Sequence, residues 1–586
     1  MDDHPSDHPA KRPKLSSNTV PENLGTSSLS NLASLRRSIT PPPARSGRVS
    51  VSASSVPSPH RHSEQKDIDT SSPPQLIPSP IQLTHIRDFS DSLRNNDDTV
   101  KLRDILGDPL IRECWQFNYC FDVDFLMSQF DEDVRSLVSV KVVHGSWKKE
   151  SENRMRIEGS ELIAVSSQEA CQRYSNVEPI VAYMPEPFGT HHSKMMILLR
   201  HDDAAQVVIH TANMLAGDWA NMCQAVWRSP LLPATDNRGQ KISSAFGTGA
   251  RFKRDLLAYL KAYGAKKTGP LVKQLEKYDF SAVRAVLIAS VPSKQKIDTS
   301  SNENGDGKTI WGWPALIAAL RNIPMSETAS AGSTTTVPHI VTQMSSIATL
   351  GQTDKWLKDV FFDALASSKS PTKTRPRYSI IFPTAEEIRR SLNGYGSGGS
   401  IHMRVQSTAQ KKQLQYLRPY LCHWAGDVSE HSPKRLQDAG RRRAAPHIKT
   451  YIRFADQDMS TIDWAIVTSA NLSTQAWGAA TNAAGEVRIC SWEIGVLLWP
   501  ELLITEPQGR GKQQGQSGVV AMVPCFKKDR PDPSLKIGSA APAAIVGFRM
   551  PYDLPLTSYS AQDEPWCATK SHLEPDWLGQ TWMVES

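Results

Sequence analysis

The sequence predicts an α/β protein of two similar halves, each a mixed β-sheet flanked by helices, with its site at the pseudo-twofold interface between them. Three observations predict it. A long composite pattern occurs twice, 255 residues apart. Short β-rich runs alternate with amphipathic helical stretches. Aromatic residues are absent from the first 85 positions, then begin at Phe89 and recur as far as Trp582.

The repeated pattern carries the most information. The chain reads His192-Ser193-Lys194 and later His447-Ile448-Lys449. With sixteen histidines, one such tripeptide is expected by chance, so the weight lies in the residues downstream of each copy. After the first come KMMILL and QVVIHTANMLAGDW; after the second come KTYIRF and DWAIVTSANLSTQAW. Each copy is thus His-x-Lys on a β-run, a turn, a second β-run, a Ser/Thr-Ala-Asn step, and a Trp six residues past the Asn (Asn213 to Trp219, Asn471 to Trp477). The shared pattern indicates an internal duplication.

The spacing has a chemical reading. Residues i and i+2 of a strand share a face, so His192 projects with Lys194 and His447 with Lys449. Asn213 and Asn471 end the neighbouring strands and can reach the same place. Two such half-sites would gather two imidazoles, two ammonium groups and two amides, a set suited to phosphoryl transfer. The lysines and amides would hold the equatorial oxygens, while one histidine attacks and the other moves a proton. Glu493 is the only charge in ICSWEIGVLLW, and Gln224 lies in the apolar CQAVW. A buried carboxylate needs a partner, and a catalytic imidazole is a natural one. The bland alternatives are cores and surfaces: Trp219 and Trp477 as packing residues, His210 as a strand-end histidine, His201 as surface, and Tyr119 open between core and DNA contact.

The remaining elements follow from local patterns. Arg251–Tyr263 places Phe252, Leu256, Tyr259, Leu260 and Tyr263 on one helical face before Gly264. Thr384-x-x-Glu387 is a capping box ahead of Ile388 and Leu392, with Gly394 as the stop. Asp354–Ala366 is expected to be helical, and YSIIF, DWAIV and EIGVLLW to be strands. Polar stretches at Lys294–Lys308, Glu430–Arg443 and Gln508–Gly518 interrupt the core, the first as candidate domain junction. The expected organisation is therefore a tail over 1–85, a first half over 86–293 and a second over 294–586. The tail has 31 Ser or Pro among 85 residues, too little apolar surface to offset the entropy of ordering. It carries the import-like cluster Lys11-Arg12-Pro13-Lys14, hence an expected nuclear location, and Thr40, Ser58, Ser72 and Ser79 each precede proline.

Bulk properties bound the function classes. No run of eighteen apolar residues suggests a membrane span, and MDDHPSDHPA lacks the basic start of a secretory signal. A net charge of +7 is compatible with a polyanionic partner but does not require one. The eight cysteines form no CxxC pair and no zinc-type spacing, which suits reduced, buried thiols.

Several longer motifs carry a resemblance. FNYCFDVDF (Phe117–Phe125), PFGTHHSKMMILL (Pro187–Leu199), VVIHTAN, PHIKTYIRF (Pro446–Phe454), SANLSTQAWG, SWEIGVL and MPYDLPL (Met550–Leu556) resemble the tyrosyl-DNA phosphodiesterase family of the phospholipase D superfamily, over about residues 86–586. The resemblance implies two phospholipase D-like halves and no metal or other cofactor. It implies His192 as nucleophile, His447 as general acid and then base, and Lys194, Lys449, Asn213 and Asn471 on the phosphate. Gln224 and Glu493 would orient the histidines, with the assignment of each left open. The implied partner is DNA, single-stranded or at duplex ends, bearing a 3′-linked tyrosine or a topoisomerase-derived peptide. A DNA 3′-phosphate would be the product of a monomeric repair enzyme acting away from membranes. Phe188 resembles a base-stacking aromatic, Ser346 and Thr349 resemble phosphate contacts, and Trp566 would border the peptide side. Gly396 stands where the family usually has proline, which implies a softer Gly394–Ser400 loop. A lipid-cleaving phospholipase D is the alternative, disfavoured because Leu199 and Phe454 replace the Asp of that motif. A non-catalytic descendant is disfavoured because both His-x-Lys copies are intact.

Overall fold

A computed structural model describes residues 74–147, 154–157, 164–235, 245–297, 309–324, 337–369, 374–424, 437–504, 519–535 and 542–584. The basic cluster at Lys11–Lys14, the sites at Thr40, Ser58 and Ser72, and most of the three polar stretches lie outside them.

Two large mixed sheets are built on one plan. The first runs in the order Ile81–Leu83, Ala225–Arg228, Ala204–His210, Met195–Arg200, Ile111–Phe117, Ser139–Trp147 and Val177–Met184. The second contains, in the same order, Val286–Ser290, Glu493–Leu498, Ile462–Thr468, Thr450–Phe454, His339–Gln343, Arg377–Ile381 and Leu421–Cys422. The pairing sense also repeats: four antiparallel pairs, then two parallel ones. Even register repeats, with His210 opposite Val226 in one sheet and Thr468 opposite Gly495 in the other. The duplication read from a few motifs therefore extends through seven strands.

Both boundaries fall earlier than expected. The repeat starts at Ile81 rather than 86, because Ile81 and Leu83 alternate with Gln82 and bury their side chains beneath Ala225–Arg228. It restarts at Val286, because Val286–Ser290 is wholly buried against Glu493–Leu498 before the polar stretch begins. Gln75–Ile77, within the supposed tail, pairs in parallel with Ala544–Arg549 at the far edge of the second sheet. Ser79 is held there too, its hydroxyl donating to the Ile81 carbonyl and accepting from Arg549 N–H. Within nine residues that carry no aromatic side chain, three thus join the second sheet and three the first.

The helices are close to expectation. Gly249–Lys261 is capped by Thr248 and buries Phe252, Leu256, Tyr259 and Leu260. The Thr384/Glu387 capping box forms with both bonds, at 2.8 and 3.1 Å, though its helix ends at Arg389 rather than near Gly394. Asp354–Ala366 differs more: Trp356–Phe362 forms a wider π-helical turn in which Trp356 stacks on Phe361 at 5.4 Å, before α-helical Asp363–Leu365. No helix among the described residues is long and apolar enough to cross a membrane.

Candidate active site

Both His-x-Lys tripeptides precede their strands instead of lying in them. Met195–Arg200 and Thr450–Phe454 begin one residue after each lysine. The ladder reaches back by one bond, His210 N–H to the Lys194 carbonyl at 3.0 Å and Thr468 N–H to the Lys449 carbonyl at 3.2 Å. Outside the ladder, the histidine main chains are available to pair across the interface.

They do so in matched fashion. His192 N–H donates to the Trp492 carbonyl (2.9 Å) and Trp492 N–H to the Thr190 carbonyl (2.9 Å). In the other copy Cys223 N–H donates to Ala445 and His447 N–H to Cys223. Each histidine therefore lies beside the residue preceding the other half's Glu493 or Gln224. The side chains cross accordingly. His192 Nδ1 is 3.0 Å from Glu493 Oε2, and His447 Nδ1 is 3.0 Å from Gln224 Nε2. Glu493 thus lies against His192, and Gln224 against His447.

The Ser/Thr of the repeated Ser/Thr-Ala-Asn step has a place in this array that sequence reading did not assign. Thr211 Oγ1 donates to Gln224 Oε1 at 2.8 Å and accepts from Ala225 N–H. Ser469 Oγ donates to Glu493 Oε2 at 2.5 Å and accepts from Ile494 N–H. Trp219 and Trp477 do more than pack. Each indole N–H donates to the carbonyl of its own asparagine, Asn213 at 3.0 Å and Asn471 at 3.1 Å, which explains the fixed six-residue spacing. Asn471 Oδ1 accepts from the backbone N–H groups of Ser345 and Ser346, leaving its NH₂ as the donor. Asn213 Oδ1 is buried with no hydrogen-bond partner among the described residues.

The electrostatics follow from burial. Lys194 and Lys449 are fully buried, and His447 is 3% exposed. Desolvation, then Lys194, holds the His192 imidazole down at about 4 despite Glu493. His447 is lowered well below its ordinary value by burial, then Lys449, Lys194, His192 and His402. Lys194 is lowered to about 8, and Lys449 is lowered well below the usual lysine value, by burial in both cases, with Lys194 adding to the effect on Lys449. Crowded cations without water favour a bound anion, which would restore their charge.

Outside this centre the predicted residues divide. Phe188, four residues before His192, is 63% exposed, and Thr349 is also exposed. Ser346 adjoins Asn471 through its own N–H, and the Tyr119 ring lies 5.7 Å from that of His192. Trp566 lies in the interior and not on a substrate-facing surface: it is 0% exposed, donates to the Gly398 and Ile401 carbonyls, and stacks on both Tyr395 and His572. Gly394–Ser400 forms a 3₁₀ helix anchored by Tyr395, whose N–H bonds Asp576, so Gly396 does not leave it unstructured. His210 is buried against Trp219, and His201 is exposed. All eight cysteines are free, seven of them buried. Leu199 and Phe454 are buried strand residues. The described residues hold no group of three His, Cys, Asp or Glu side chains arranged for a metal ion.

Sequence reading missed Asp218, in the short Ala216–Ala220 helix. Its Oδ2 is 3.3 Å from His447 Nδ1 and accepts the Asn213 N–H at 2.7 Å. The available signal was weak, a single acid in AGDW with Ala476 at the matching place of the second copy.

Comparison with known proteins agrees with this geometry. The profile of the family described as tyrosyl-DNA phosphodiesterase matches residues 80–560. A probable tyrosyl-DNA phosphodiesterase of Schizosaccharomyces pombe is 30% identical over 565 residues, covering 87% of this chain and 96% of the relative. One from Caenorhabditis elegans is 27% identical, with 91% and 97% covered. The crystal structure of the yeast tyrosyl-DNA phosphodiesterase shares the fold, with a TM-score of 0.54 at 21% identity over 83% of this chain and 98% of that one. The extent of these matches, on a chain whose two half-sites are both intact, shows that it belongs to the tyrosyl-DNA phosphodiesterase family.

Proposed function

We propose that the protein hydrolyses 3′-phosphotyrosyl links between DNA and a stalled type IB topoisomerase or its peptide, through a phosphohistidine on His192. The observation that carries this reading is the crossed pairing, Glu493 on His192 and Gln224 on His447, around two buried lysines. Glu493 accepts the Nδ1 proton of His192, so the Nε2 lone pair is the free nucleophile, and burial keeps that ring neutral at physiological pH.

In the first step His192 Nε2 forms a bond to phosphorus as the bond from phosphorus to the tyrosyl oxygen breaks, and protonated His447 supplies a proton to that oxygen. A tyrosyl leaving group, with a pKa of about 10, needs only modest acid help. In the second step His447 takes a proton from water, the oxygen attacks phosphorus, and the P–N bond breaks, freeing His192 and a DNA 3′-phosphate. Lys194, Lys449 and the Asn213 and Asn471 amides hold the phosphoryl oxygens, supplying in place of a metal ion the positive field such a transition state needs. Phe188 supports single-strand stacking, with Ser346 and Thr349 beside the backbone path. One copy supplies both half-sites, which fits a monomer. Import through Lys11–Lys14 would place it in the nucleus as a repair enzyme.

The test is release of tyrosine from a 3′-phosphotyrosyl oligonucleotide in excess EDTA. Full activity there is expected. Inactivity restored by Mg²⁺ would overturn the metal-free mechanism.

A further inference from the structure

His447 must carry its proton on Nδ1 in both steps of the reaction proposed above. As the acid it is doubly protonated, and as the base it needs a free lone pair on Nε2, so Nδ1 donates in both states. Lys449 Nζ, a donor, lies 3.3 Å from Nε2 and favours the same tautomer. The Nδ1 proton therefore needs an acceptor.

Gln224 is the weaker acceptor of the two groups beside Nδ1. Its Oε1 accepts the Thr211 hydroxyl at 2.8 Å, an arrangement matched by Ser469 on Glu493, so its amide NH₂ turns toward His447. Two donors would then face each other at 3.0 Å. Oε1 itself is 3.3 Å from Nδ1, but it also accepts from Thr211, so a bond to Nδ1 would be a second, longer one on a neutral oxygen. The other oxygen at that distance is Asp218 Oδ2, on a side chain 3% exposed.

We propose that Asp218 is the positioning residue for His447, a carboxylate that accepts its Nδ1 proton and turns Nε2 toward the scissile phosphate. Both histidines then rest on carboxylates, His192 on Glu493 and His447 on Asp218, and Gln224 steadies the second carboxylate through its NH₂ at 3.5 Å. Asp218 is itself tied by the Asn213 N–H and, at 3.5 Å, by the Ser400 hydroxyl. The other charged or titratable groups facing His447 are Lys449, Lys194, His192 and His402, and all of them oppose its imidazolium. Two carboxylates lie in the same cluster, Glu493 against His192 and Asp218 against His447, and Asp218 is the one in contact with Nδ1, at 3.3 Å.

Asp218→Asn keeps an oxygen for the Asn213 N–H and removes the charge. Since the inference rests on the phosphohistidine reading, single-turnover kinetics on a 3′-phosphotyrosyl oligonucleotide are run beside His447→Asn. Adduct breakdown should slow on the order of 10- to 100-fold, with tyrosine release changed only a few-fold. The limb of the pH profile that reports His447 should move to lower pH. Asp218→Asn/Gln224→Glu, which returns a carboxylate to Nδ1, should recover part of the loss. Unaltered breakdown and an unmoved pH profile would overturn the role of Asp218. No adduct even in His447→Asn would instead overturn the phosphohistidine. Should the variants fail to fold, ¹⁵N shifts of His447 in the unmodified protein decide the question: protonated Nδ1 agrees, and a neutral ring protonated on Nε2 refutes it.

Discussion

The two half-sites share a backbone and differ in what stands behind it. In the first copy, the residues flanking His192 are polar: His191 bonds the Asn118 carbonyl at 2.9 Å and the Tyr263 hydroxyl at 3.0 Å, and Ser193 bonds the Tyr259 hydroxyl. Trp492, from the other half, stacks on Tyr263 at 3.8 Å. In the second copy, the matching positions are Pro446 and buried Ile448. Asp218 has no counterpart, since Ala476 takes its place, and Gln224 answers Glu493. Duplication thus preserved the main-chain bonds that bring the two histidines to one place. Divergence acted on the side chains packed against the two rings, to which the proposed mechanism gives different roles.

That contrast can be broken most strongly at Glu493. Glu493→Gln replaces the carboxylate against His192 with an amide, which removes the charge and lets an NH₂ group turn toward Nδ1. Tyrosine release in the first turnover should fall about 10²-fold or more, with adduct breakdown less affected, as read by rapid quench. Equal slowing of both steps would mean that the two half-sites are not specialised as described. The backing of each copy gives smaller effects, on stability. Ile448→Ala should cost about 2–5 kcal/mol by opening a cavity behind the second His-x-Lys. Tyr263→Phe keeps the stack on Trp492 and loses only a hydroxyl network, at about 1 kcal/mol. Denaturant midpoints compare the two, and a larger loss for Tyr263→Phe would reverse the assignment of apolar and polar backing.

Much of this was legible in the sequence because it recurs. His192, Lys194, Asn213 and Trp219 have partners at His447, Lys449, Asn471 and Trp477, and a doubled pattern stands out from chance. Glu493 was legible for another reason, as a lone charge among apolar residues. Asp218 was not, because it occurs once and looks like any acid in a first helical turn. Tyr259 and Tyr263 fit the apolar face of a helix so well that their hydroxyl bonds to Ser193 and His191 left no trace in the periodicity. Trp566 was placed on the peptide side by resemblance alone, whereas the fold turns it inward onto Tyr395 and His572. The strands at 75–83 were hidden by Ser/Pro-rich surroundings, since pairing with segments more than a hundred residues away leaves no local pattern.

The central claim is that His192 forms the bond to phosphorus and His447 only moves protons. It is tested most directly by quenching His447→Asn on a 3′-phosphotyrosyl oligonucleotide and mapping the DNA-bearing peptide by mass spectrometry. The account predicts DNA on His192 and none in a His192→Ala/His447→Asn double variant. DNA retained in that double variant, or no covalent DNA in His447→Asn at all, would contradict it.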